Sequence, residues 1–226
     1  MRFRQLFLWD IRFQARYGFY LLYSFLTVLY VVLLLSLPKA WKENAAAMLI
    51  LSDPAAMGLF FMGAIVLLEK SQRVTSFFGI SPLRALEYVG SKVLSLSLIA
   101  LIVAAVLGAA ANGRSLSLML VGTFLASVLF TLLGMIIAAK ITSLNQFLLA
   151  TVPVEMLAFV PAIGHLFGIT PAFLGIYPAN VCMELIAGRS FSVAGLILTA
   201  ALTVLLFFAA CRSVMKMWTG AGGVKL

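Results

Sequence analysis

Residues 18–37 run for twenty positions without one charged side chain, and further long apolar stretches follow almost to the end of the chain. A helix of about 20 apolar residues crosses a hydrocarbon layer, where each backbone N–H and C=O must be satisfied within the segment itself. Composition removes the soluble alternative. Of 226 residues, 64% are hydrophobic and 10% charged, against roughly one quarter charged in a soluble domain, and the mean hydropathy is +1.15. The chain reads as an all-α polytopic membrane protein, one domain over residues 1–226, with six transmembrane helices.

The spans are expected at about 18–37, 54–68, 93–111, 116–139, 144–166 and 191–211. Before them, residues 2–16 mix Arg with Phe, Leu and Trp and read as an interfacial helix on the inner leaflet, with Asp10 and Gln14 interrupting its apolar side. Residues 39–53 read as an outer loop. Its end, Ser52-Asp53-Pro54, reads as a helix start with Asp53 as the cap rather than a ligand contact. Residues 69–92 carry the densest charge and form a cytoplasmic loop, in which Ser81 and Pro82 start a short helix through Tyr88. Asn112 to Ser115 make a tight outer turn. Gly and Pro punctuate two apolar pieces within 167–189 that are too short to cross, which suggests an outer re-entrant hairpin enclosed by protein.

A net charge of +9 could signal nucleic-acid binding, but the basic residues are placed by topology. With the N-terminus inside, 12 of the 16 Lys and Arg residues fall on the cytoplasmic side; Lys39, Lys42, Arg114 and Arg189 fall outside. That bias favours both termini in the cytoplasm and no nucleic-acid partner. Cys182 and Cys211 lie near opposite membrane faces in this layout, too far apart for a disulfide. The first span exceeds a signal-peptide core and is expected to be retained.

Chemistry of its own is hard to find in the chain. It has no G-x-x-x-x-G-K-[ST] loop to hold nucleotide phosphates, no H-E-x-x-H and no G-x-S-x-G, and its one histidine, His165, reads as an interface residue rather than a catalytic base. No cofactor or metal is expected in this chain. Glu155, about mid-depth in the fifth span and two residues after Pro153, either lines a translocation path or fixes helix packing; the sequence leaves both open. The Met and Phe content would suit a drug site and equally a lipid-facing surface.

The string Glu69-Lys70, Phe78-Gly79-Ile80-Ser81-Pro82, Glu87-Tyr88 and Ser91-Lys92 resembles the loop between the second and third spans of ABC-2-type permeases. The stretch from Trp9 to Tyr20, with Ser52-Asp53-Pro54, is similar to the subgroup of fluoroquinolone-export permease subunits. The resemblance covers the whole chain in layout and specific motifs in its first 92 residues. It implies a permease of the bacterial or archaeal plasma membrane that pairs with a second permease, identical or different, and with cytoplasmic ABC ATPase subunits. ATP and Mg would be bound by those partners. A coupling helix would lie around Ser81–Tyr88, with Glu69, Arg73, Ser81, Pro82, Leu83, Arg84 and Glu87 as candidate ATPase contacts, and the implied cargo is a hydrophobic or amphipathic small molecule, drug-like or lipid. The competing readings are an ion-coupled secondary transporter that uses Glu155, and a membrane scaffold or lipid enzyme.

Overall fold

The computed structural model describes residues 2–111 and 115–221. The described residues are helical and turn structure without a strand, and six helical segments are long and apolar enough to cross a membrane. The turn expected at Asn112, Gly113 and Arg114 lies outside the described residues.

Helix α1 (Arg2–Arg16) ends at Gly18, whose φ of 77° turns the chain sharply into α2 (Phe19–Ser36). That left-handed corner costs a residue without Cβ little. It makes α1 a separate helix and not an extension of the first span. Against expectation, residues 39–53 are not a loop. Helix α3 (Lys39–Ile50) runs through a π-turn (Leu51–Ala55) into α4 (Met57–Ser71), and together they form one 33-residue span. The polar start Lys39 to Asn44 resembles a loop, but the alanine-rich stretch that follows strongly favours helix. Pro54 has no N–H to offer the Ile50 carbonyl and its ring would collide with it, so the helix widens by a turn there instead of stopping. At 1.5 Å per residue the joined helix is about 50 Å long, so its ends pass beyond a hydrocarbon core of about 30 Å.

Helix α5 (Val74–Ile80) follows a turn in which Arg73 takes a left-handed φ of 56°. The expected short helix over Pro82–Tyr88 is therefore misplaced. The short helix comes earlier; residues 81–84 are an irregular link, and Ala85 already opens α6 (Ala85–Ala111). Helices α7 (Leu116–Lys140) and α8 (Leu144–Leu166) follow, capped by the hydroxyls of Ser115 and Ser143. Helix α8 continues through both Pro153 and Pro161. Within 167–189 lie a 3-10 turn (Ala172–Ile176) and α9 (Pro178–Ile186), and the last helix, α10 (Val193–Ala221), continues well past Cys211.

Contacts order the helix ends into two faces. The ammonium of Lys70, near the end of α4, donates to the carbonyls of Ala138, Ala139 and Ile141 at 2.7–3.0 Å, and so caps the end of α7. The end of α10 meets α5 and the start of α6 through Trp218. These ends share one face with α1. On the far face Arg189 bridges the Leu166 carbonyl and the Asn44 side chain.

The core is centred on α7, which packs against α4, α6, α9 and α10. Glycines set the close crossings. A Cβ on Gly134 would lie 2.5 Å from the Leu59 carbonyl oxygen, and one on Gly122 would lie 2.7 Å from Leu185 Cβ on α9. Small residues at such crossings let backbones approach where dispersion rather than hydrophobic burial drives helix association. Helices α2, α8 and α10, by contrast, bury little of their surface.

Candidate functional site

On the α1 face, one ammonium holds three helices. Lys92 of α6 lies 2.9 Å from Asp10 Oδ1 of α1 and 2.8 Å from Glu69 Oε1 of α4, and the three side chains are 5%, 11% and 13% exposed. The Tyr88 hydroxyl donates to Glu69 Oε2 and the Ser91 hydroxyl to Asp10 Oδ2. Gln14 Nε2 donates to Ser95 Oγ at 2.8 Å, and the Lys92 ammonium stands 4.9 Å from the centre of the Tyr88 ring. A buried ion cluster persists when each charge has a partner and the remaining lone pairs find donors, and loss of one partner leaves a charge stranded. So the cluster ties α1, α4 and α6 together.

Helix α5 rests on this base through aromatic contacts. The Phe78 ring is 5.5 Å from Tyr88 and 5.6 Å from Trp218, and those two are 5.4 Å apart edge to face. A Cβ on Gly79 would stand 3.3 Å from the Trp218 carbonyl. One side of α5 is thus fixed. The other presents Phe77, 68% exposed, beside the exposed Arg73, Pro82 and Arg84.

At mid-depth, the π-turn carries Asp53. Its carboxylate accepts from the Tyr30 hydroxyl at 2.9 Å and from the Tyr23 hydroxyl at 3.3 Å, both on α2. Asp53 is therefore not a surface helix cap, because the helix does not start there. Glu155 is half-buried on α8, and no hydrogen bond or ion pair joins it to another described side chain. On the far face His165 bonds Glu184 Oε1 and Thr170 Oγ1, each at 2.7 Å, which ties the end of α8 to α9. Between α7, α8, α9 and α10 lies an apolar cavity of about 300 Å³ walled by residues such as Leu129, Phe130, Leu157, Tyr177 and Leu206. No cluster of His, Cys, Asp and Glu that could hold a metal occurs among the described residues.

The arrangement holds an exposed aromatic tip on a buried polar and aromatic base, with a carboxylate partway along a membrane-spanning helix. A family model described as the fluoroquinolones export permease protein family matches residues 2–221. The chain belongs to this family. The permease is thus of the ABC-2 type. It is 27% identical over 164 residues to the fluoroquinolones export permease proteins of two Mycobacterium tuberculosis strains, CDC 1551 and H37Rv, an alignment that covers 72% of this chain and 69% of each relative.

The residues singled out in the permease's charged loop separate into two groups. Glu69 faces inward to Lys92 and Tyr88, and Glu87 accepts from the Arg84 backbone N–H at 3.1 Å, so it caps its own helix. Ser81 closes the link locally: its hydroxyl donates to the Phe78 carbonyl and accepts from the Leu83 N–H. Arg73, Pro82 and Arg84 stand at the surface, and Leu83 is half-buried. Sequence reading missed Phe77, Asp10, Lys92 and Glu184. For Asp10 a signal existed, namely a charge where an apolar face was expected; for Glu184 it was the one carboxylate of α9; Lys92 gave none within a stretch already dense in charge.

Proposed function

We propose that the permease is the membrane subunit of an ATP-binding cassette exporter in a bacterial or archaeal plasma membrane, with the α1 face and both termini in the cytoplasm. A second permease, identical or different, would complete the pathway, and cytoplasmic ATPase subunits would bind Mg and ATP. This chain contributes no phosphate-holding loop. The cargo class is a hydrophobic or amphipathic, drug-like molecule. The name of the mycobacterial relatives, which concerns fluoroquinolone export, supports it, as does the apolar cavity between α7 and α10.

One observation carries the reading: an exposed tip wired into several spans at once. Phe77, Arg73, Pro82 and Arg84 form the tip. Behind it stand Phe78, Tyr88 and Trp218, and behind those the Asp10–Lys92–Glu69 cluster. A push on the tip from a closing ATPase pair would tilt α4 and α6 together with α1, so nucleotide binding would shift an equilibrium between inward and outward access. The coupling contact is accordingly assigned to α5 and the link after it. Glu69 acts behind the surface, and Glu87 shapes the start of α6.

Affinity purification in mild detergent tests this. The wild-type permease should bring down a protein with nucleotide-binding motifs, and Phe77→Asp and Arg84→Glu should lose it while unfolding at the wild-type temperature. Recovery of the same ATPase with both variants would overturn the assignment of α5, and its absence from a well-folded wild type would overturn the cassette reading.

A further inference from the structure

A carboxylate near the middle of a membrane-spanning helix is costly unless something compensates its charge. Asp53 has two hydroxyl donors, Tyr23 and Tyr30, and no lysine, arginine or histidine pairs with it among the described residues. Hydroxyls satisfy lone pairs but leave the charge standing. The site is also partly open, since Asp53 and Tyr30 are only half covered whereas Tyr23 is buried. The π-turn turns the carboxylate toward α2, in a backbone form that recurs at functional positions.

The surroundings are aromatic on one side and hollow on the other. Below Asp53, Phe61 meets the Tyr23 ring edge to face at 5.9 Å and stacks on Phe19 at 4.3 Å. Between α2 and α6, an apolar cavity of about 190 Å³ reaches the Tyr23 ring, with the Tyr20 hydroxyl buried beside it and unbonded. An uncompensated carboxylate, phenol faces and an adjacent apolar space are together what a cationic amphipath requires. The ammonium meets charge and ring quadrupole, and the ring system fills the hollow.

We propose that Asp53, framed by Tyr23 and Tyr30, is a recognition point for the protonated amine of a cationic or zwitterionic aromatic cargo. The inference rests on the export reading above and adds the chemical group that selects the cargo. The ammonium replaces one tyrosine hydroxyl at the carboxylate and supplies the positive charge that neither tyrosine carries. A neutral analogue of the same shape gains the apolar contacts alone.

Norfloxacin, with its basic piperazine amine, and N-acetylnorfloxacin, in which that nitrogen is an amide, form a matched pair of fluorescent probes. Their binding is followed by anisotropy with the purified permease in lipid nanodiscs. The wild type should prefer norfloxacin by about tenfold or more, the size expected of one charge-assisted contact. Asp53→Asn, which keeps an acceptor for the tyrosines, should bind both probes equally and at the N-acetyl affinity. Thr27→Lys offers a second route. Position 27 lies on α2 between Tyr23 and Tyr30 on the same face, so its ammonium would occupy the site and erase the preference without removing Asp53. Retention of the preference by both variants would overturn the inference and leave the export reading intact, as would equal wild-type binding of both probes. If the wild type binds neither, the drug-export reading falls and the inference with it.

Discussion

Single charges decide more in this molecule than their number suggests. Lys92 neutralises two carboxylates from two other helices, so Lys92→Met strands both and should cost about 3–5 kcal/mol. Thermal unfolding in detergent should show a large fall in Tm for that variant. Most of the fall should be recovered when Asp10→Asn and Glu69→Gln are added, because neutral groups no longer need the ammonium. Arg73 offers the opposite test. Its left-handed φ of 56° disfavours a side chain by about 1–2 kcal/mol, so Arg73→Gly should keep or raise the Tm while it removes a guanidinium from the surface tip. Little of this was legible beforehand. Asp10 looked like a flaw in an amphipathic helix, Lys92 like one more topology marker, and Asp53 like a cap, because Ser-Asp-Pro is the local pattern of a helix start. In each case the partner lies 30 or more positions away along the chain, or on a different helix, where periodicity gives no information.

At the scale of elements, the apolar spans were readable and their ends less so. Long uncharged runs fix α2, α7 and α8 to within a few residues, since little else satisfies their backbones in lipid, whereas α6 ends where expected but starts eight residues earlier, at Ala85. The failures came where a local breaker did not break. Pro54 was absorbed by a π-turn, so the helix expected to start there runs on from Lys39, and Ser81-Pro82, expected to start a helix, opens an irregular link. Glycines at helix crossings give a direct test of the packing. Gly134→Val would drive a side chain into the Leu59 carbonyl, 2.5 Å from the Cβ position, and overpacking of this kind costs about 3 kcal/mol or more. The folded, monodisperse yield should collapse. Gly175→Ala, whose Cβ would meet no atom closer than 3.9 Å, should leave yield and Tm unchanged.

For the molecule as a whole, the structure combines a rigid half with a loosely packed one. Helices α4, α6 and α7 form the rigid part, locked by glycine crossings and by the Lys92 cluster, with the α5 tip beneath it. Helices α2, α8 and α10 leave most of their surface uncovered by the rest of the chain. Asp53 with its two tyrosines sits where α2 meets the rigid part, and α4 and α6 both join the tip to the proposed recognition point. On the proposed function, nucleotide energy delivered at α5 moves a drug-like cargo across the bilayer. Its most direct test is uptake of norfloxacin into inverted membrane vesicles from the native host, with wild-type permease or Phe77→Asp as the only copy. Uptake should require ATP, survive a proton uncoupler and disappear with Phe77→Asp. Uptake that ignores ATP and collapses with the uncoupler would contradict the proposed function.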